Sequence, residues 1–140
     1  MNENNVSPGT LYTLGYATPG AGAELEQVMQ DASVLLIDIR LRPQSRWWPV
    51  WNKKQLRARW GSRYTHEKKL GNNNYRDRSL PVVLHGPFPE QAIAGAAALL
   101  QHGYSLVLLC ACKDYETCHR KVAAEMIQQV MTENEQEVRE

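Results

Sequence analysis

Apolar and polar positions alternate along this chain in two rhythms, and their order predicts strands separated by helices. The run Ser105-Leu-Val-Leu-Leu-Cys110 is continuously apolar, the pattern of a strand buried on both faces of a parallel sheet. Val34–Ile39 has the same character, and Leu11–Tyr16 reads as a first strand closed by Pro19, Gly20 and Gly22. Arg63–His66 is a weaker strand, while Pro81–Gly86 fits either a short strand or extended coil. Between them lie segments of helical period. Glu24–Gln30 carries Leu25, Val28 and Met29; Asn52 can cap a helix through Trp60; Pro89–His102 is alanine-rich and stopped by Gly103. From Thr117 onward Cys118, Val122, Met126 and Val130 recur at helical spacing, with Ala123 and Ile127 alongside.

Alternating strands and helices predict a single three-layer α/β domain: a mostly parallel sheet of four to five strands with helices on both faces. The domain is expected over residues 10–131, after a disordered or extended segment 1–9 and before an acidic, fraying tail 132–140. Right-handed crossovers bring the strand ends to one rim. Gly15, Tyr16, Asp38, Arg40, His66 and the stretch from Cys110 to Arg120 should meet there, where open α/β sheets bind ligands.

Composition narrows the class. A chain of 140 residues with 43% hydrophobic content makes one domain, and no apolar run is long enough to span a bilayer, so no membrane partner is expected. Three clustered cysteines and an amino terminus without a basic start and apolar stretch predict reduced thiols and a cytoplasmic location. The net charge of +1 hides an uneven distribution. Between Arg40 and Lys69 lie ten of the sixteen basic residues, one acid (Glu67) and all four tryptophans. That mixture suits phosphate backbone and stacked bases. Trp47 and Trp48 are consecutive, so on extended backbone at least one should face solvent or a partner and offer, with Tyr16, a stacking surface.

The chemistry concentrates at Cys110, Cys112, Cys118, His119 and Arg120. Cys118, His119 and Arg120 are expected in the first turn of the last helix, where free N–H groups and the helix dipole favour an anion or a thiolate. Cys118 reads either as a buried small hydrophobe or as an activated nucleophile paired with His119. Three cysteines and a histidine are the number of soft ligands a zinc ion takes. Their spacing departs from zinc ribbons and knuckles, so no cofactor is predicted, with zinc kept as the minor alternative. Asp38 at a strand end can hold Arg40, Arg46 or Arg120, or act as a general base. The three arginines form the anion-binding set, because guanidinium forks fit phosphate.

Thr13-Leu-Gly-Tyr16, Asp38-Ile-Arg40 with Pro43, Ser45 and Arg46, then Tyr64, His66 and Leu70-Gly71, and finally Leu109-Cys110-Ala111 with Cys118-His119-Arg120, together resemble the family called "domain of unknown function 488". The resemblance spans roughly Leu11 to Val130 and implies a small α/β domain of bacterial type whose shared polar residues gather at one site. It implies no reaction. The chain departs from the family pattern at Cys112, where members usually carry an acid, and at Asn72, where a second glycine is common.

The leading expectation is therefore a protein that binds a phosphate-bearing small molecule or nucleic acid at the rim and possesses groups to act on it. Cys118, His119 and Asp38 are the candidate catalytic residues. Gly15, Tyr16, Arg40, Ser45, Arg46, His66, Cys110 and Arg120 are the candidate ligand-binding ones, and Trp47 and Trp48 the stacking ones. A thiol enzyme of sulfur transfer or redox type, and a non-enzymatic interaction module, are the alternatives. The sequence leaves the oligomeric state open.

Overall fold

The chain's most apolar run becomes the central strand. The computed structural model describes residues 7–45, 47–75, 79–112 and 115–139. They form strands β1 (Leu11–Gly15), β2 (Val34–Asp38), β3 (Tyr64–His66) and β4 (Ser105–Cys110), and helices α1 (Ala21–Val28), α2 (Lys53–Trp60), α3 (Pro89–Gln101) and α4 (His119–Arg139). The sheet is wholly parallel in the order β1-β4-β2-β3. Along β4 successive side chains alternate faces: Leu106, Leu108 and Cys110 join the core under α3 and α4, while Val107 and Leu109 join the core under α1 and α2. A strand flanked on both edges and both faces must be apolar throughout, and this one is.

The strand order explains where the helices lie. From β1 to β2 to β3 the chain moves one way across the sheet, and right-handed crossovers put α1 and α2 on one face. From β3 it returns to β4, which puts α3 on the opposite face, and α4 follows beside it. The chain thus leaves β1 and β2 toward one face and leaves β4, which lies between them, toward the other. Their carboxyl ends part and open a crevice, the switch point of an open α/β sheet. The register fixes what borders it: Gly15 lies opposite Cys110, and Asp38 lies between Leu109 and His66.

Several local expectations change. Helix α1 begins at Ala21, not Glu24, because Gly20 takes a left-handed conformation (φ 82°) that launches the helix three residues early. Asn52 does precede α2, but its side chain makes no cap. Its Oδ1 accepts from the N–H of Ser45 and ties the β2–α2 loop together. Pro81–Gly86 supplies only an isolated antiparallel bridge, Asn72 to Leu84, and no fifth strand. Cys118 stands just ahead of α4, after a 3-10 turn at Tyr115–Thr117, and the buried stripe of α4 runs through Ala123, Ala124 and Ile127 with Met126 exposed. Helix α4 also continues to Arg139, through the segment expected to fray. The N–H of Gly9 donates to Leu100 O, so the extended amino-terminal segment is already fastened there; residues 1–6 lie outside the described residues. No helix among the described residues is long and apolar enough to cross a membrane.

Gly15 shows how tightly the crevice closes on the β1 side. A Cβ at this position would lie 1.6 Å from Cys112 O and 2.9 Å from Arg120 Nη2. Gly15 therefore permits close packing of backbone at this edge of the crevice. Gly15→Ala should cost about 3 kcal/mol in urea unfolding, at the upper end of ordinary overpacking, because a carbonyl cannot rotate away as a side chain can. Gly22→Ala, in α1 with open space around it, should gain about 0.5–1 kcal/mol in the same measurement.

Candidate functional site

An acid and an arginine two residues apart anchor the crevice. Asp38 is fully buried and receives four hydrogen bonds. Arg40 donates from Nε to Oδ1 (2.8 Å), from Nη2 to Oδ2 (2.7 Å) and from its backbone N–H to Oδ1 (3.2 Å); the Tyr64 hydroxyl donates to Oδ2 (2.5 Å). Arg40 Nη2 also reaches Trp51 O at 2.6 Å, and the guanidinium lies 5.4 Å over the Tyr16 ring, which itself stacks on Trp51. Burial opposes the charge on Arg40, but its hydrogen bonds to Asp38 and that carboxylate's charge prevail, and the pKa rises above its ordinary value. Burial, then the bond to Asp38, likewise raises the Tyr64 hydroxyl. One polar atom is left over: Arg40 Nη1 is buried and has no hydrogen-bond partner among the described residues. Asp38 is thus a positioning carboxylate committed to Arg40 and Tyr64, and its geometry gives no support to a general-base role.

Beside Arg40 opens a cavity of about 240 Å³ whose lining includes Arg42, Asn72, Tyr75, Cys112 and His119. His119 Nδ1 lies 2.9 Å from Leu70 O. A carbonyl only accepts, so Nδ1 carries the proton and Nε2 keeps the lone pair. Burial, first among several influences, pulls the His119 pKa below the ordinary imidazole value and favours that neutral form. The thiol lining this cavity is Cys112. Cys110 and Cys118 lie beneath it at 0% and 2% exposure, their sulfurs 2.9 Å apart. The contact of Cys118 with Cys110 lowers its pKa, but Cys112 and burial together push it up to about 11. Burial raises Cys110 as well.

Donor atoms of Cys110, Cys112, Cys118 and His119 all lie within 4.8 Å of one another, so the four could hold a metal ion. Sequence spacing argued against this because it measures only local reach. Here the strand end, the loop and the helix start are folded onto one point by β4 and α4.

The other expected residues divide. Arg120 is buried but reaches inward, with Nη1 toward Thr13 Oγ1 and Nη2 toward Cys112 O (each 3.4 Å) and its guanidinium over Tyr115. It fastens the β4–α4 loop to β1 and does not line the cavity beside Arg40. Ser45 is buried and accepts from the Trp48 N–H at 3.0 Å, a loop-forming contact. His66 Nε2 donates to Arg40 O at 2.6 Å. Arg46 lies outside the described residues. Trp47 and Trp48 are 76% and 53% exposed, and Trp48 meets Tyr16 edge-on.

The sequence pointed to the basic segment but not to its division of labour. Arg63 donates to three backbone carbonyls, of Met29, Asp31 and Val34, and Arg59 pairs with Glu26 over the Trp60 ring. Arg42, Lys53, Lys54, Arg57 and Lys68, with His66, line a cleft of about 1030 Å³ that has no carboxylate among its described lining residues. It shares Leu41, Arg42 and Gln44 with the smaller cavity.

Fold and site together define a small, wholly parallel α/β domain with a cation-lined switch crevice over a thiol–imidazole cluster. The family model described as "Domain of unknown function DUF488" matches residues 23–127, and the chain belongs to that family. The match includes the whole closing element from Cys110 to Arg120. No curated protein and no solved structure matches the chain.

Removing one partner from the buried pair strands the other. Asp38→Asn should destabilise the fold by about 3–5 kcal/mol in urea unfolding, whereas an exposed pair such as Arg59 and Glu26 should contribute less than about 1 kcal/mol to a double-mutant cycle.

Proposed function

We propose that this protein binds a phosphate-bearing ligand, a nucleotide or a nucleic acid, at the carboxyl rim of its sheet. The observation that carries the reading is the cleft lined by Arg42, Lys53, Lys54, Arg57 and Lys68 with no acid among its described lining residues. Like charges gathered around a concavity repel one another unless an anion is held there, and low-dielectric walls strengthen their common field. The adjoining cavity adds Arg40, a cation whose orientation is fixed by its two bonds to Asp38. Asp38 acts through Arg40, and Cys118 through its place beneath the cavity. Any proton transfer from a bound ligand falls to His119 Nε2.

The test is a salt titration with fluorescent single-stranded DNA, RNA and mononucleotides. Affinity should fall steeply with ionic strength, and the Lys53→Ala/Lys54→Ala/Arg57→Ala triple variant should weaken binding at 50 mM salt by about tenfold or more. It should also flatten the logarithmic salt slope by about 2, near 0.7 per lost contact for a single strand. Absence of binding to all three probes at low salt would overturn the proposal.

A second reading rests on the thiol–imidazole cluster, which we infer to be a zinc site. Three sulfurs and one imidazole nitrogen match a closed tetrahedral set, and the bond to Leu70 O orients the histidine as second partners of zinc-bound histidines do. Zinc–sulfur bonds of about 2.3 Å set ligand separations of about 3.8 Å, so the sulfurs of Cys110 and Cys118 would part by about 0.9 Å on binding. Four protein ligands leave no open position. The ion would supply folding energy, fastening the β4–α4 loop, and would take His119 Nε2 out of acid–base use. Protein saturated with zinc and then desalted should retain one ion per chain, protect Cys112 from alkylation and lose thermal stability on chelation. Cys118→Ser should abolish retention. Protein that holds no zinc under these conditions removes the reading and leaves His119 as the base.

A further inference from the structure

The basic cleft is only one side of α2. Lys53, Lys54 and Arg57 face it, whereas Gln55, Leu56, Arg59 and Trp60 line a separate cavity of about 600 Å³ between α2 and α1. At 100° per residue these two sets occupy opposite halves of the helix. The second cavity is mostly apolar and aromatic. Tyr16 and Trp51 stack with ring centroids 5.4 Å apart and planes 15° from parallel, and Trp48 stands edge-on to Tyr16 at 6.1 Å while remaining 53% exposed. The polar side chains on its lining are Thr18, Gln55 and the ion-paired Glu26 and Arg59, besides the Tyr16 hydroxyl and the tryptophan N–H groups. Its volume lies within the ~300–1,000 Å³ typical of small-ligand sites.

The geometry points to single-stranded nucleic acid as the ligand, with phosphates along the cationic half of α2 and a nucleobase held in the aromatic cavity on the other half. This rests on the phosphate-binding reading above. Charge complementarity selects the occupant: the cavity lies across α2 from a cleft that attracts polyanions, and Asn52 borders the cleft one residue after Trp51 borders the cavity. A flat heteroaromatic ring offers a face to the half-exposed Trp48 and edge groups to Thr18 and Gln55. A duplex offers no free base face, because its bases are stacked on each other. Base-on-aromatic stacking contributes enough to be read directly, about 1–3 kcal/mol per base.

Fluorescence anisotropy with an octathymidylate and an abasic octamer of equal length and charge tests the assignment on the unaltered protein. The base-bearing strand should bind at least about tenfold tighter than the abasic one. Trp48→Ala, at a half-exposed position, should erase most of that difference, whereas Lys54→Ala should weaken both strands by similar factors. Equal affinity for the two strands would overturn the base pocket and leave the phosphate cleft standing. Tighter binding of a duplex of matched charge would do the same. Failure of both strands to bind at low salt would overturn both.

Discussion

The bidentate pair between Asp38 and Arg40 determines the character of the crevice. A carboxylate at 0% exposure loses its hydration entirely, and here four donors replace it: two guanidinium nitrogens, a backbone N–H and the Tyr64 hydroxyl. Desolvation makes such a pair a poor net source of stability even when it is fully satisfied. What the pair secures is orientation. With Nε and Nη2 committed to Asp38 and Trp51, Arg40 has one orientation, and its remaining Nη1 is buried with no hydrogen-bond partner among the described residues. A positive group is thereby held where a flexible surface arginine would have turned out to water.

The rest of the rim is organised around that fixed cation. Tyr16 leaves β1 beneath the Arg40 guanidinium and stacks on Trp51, so the ends of β1 and β2 and the start of α2 are joined through one aromatic contact. On the other side His119 is anchored to Leu70 and Cys112 to Arg120, which links α4 to the segment after β3 and to β1. Hydrogen bonds, stacking and close backbone packing thus draw together residues that are up to about a hundred positions apart in the chain.

How much of this could be read from the sequence depended on the range of the interaction concerned. Buried parallel strands announce themselves, since Val34–Ile37 and Leu106–Cys110 must be apolar on both faces, and both strands were legible to within a residue. Short three-residue β3 was weaker because an edge strand needs only one buried side chain, Tyr64. The Asp38 and Arg40 pair was legible as neighbours, and the concentration of basic residues as a composition. Their sorting was not. Arg120 and Arg40 look equivalent in the sequence, yet one is turned inward to Thr13 and Cys112 O while the other faces a cavity. Lys53, Lys54 and Arg57 were counted in that basic stretch, but only the loop after β2, which sets Leu41 to Gln44 beside them, makes a cleft. The thiol cluster was discounted on spacing, because spacing cannot reveal that a strand end and a helix start converge.

Helix α2 is a partition wall with a different surface on each side, and this bears on what the segment tolerates over evolutionary time. Substitutions on either surface alter one hollow and spare the other. Insertion or deletion of a single residue within its eight positions is another matter, since it turns everything beyond by about 100° and presents lysine to the tryptophans and leucine to the cleft. Diversification of this rim should therefore proceed by exchange of side chains at constant helix length, with changes in length confined to the loops at either end.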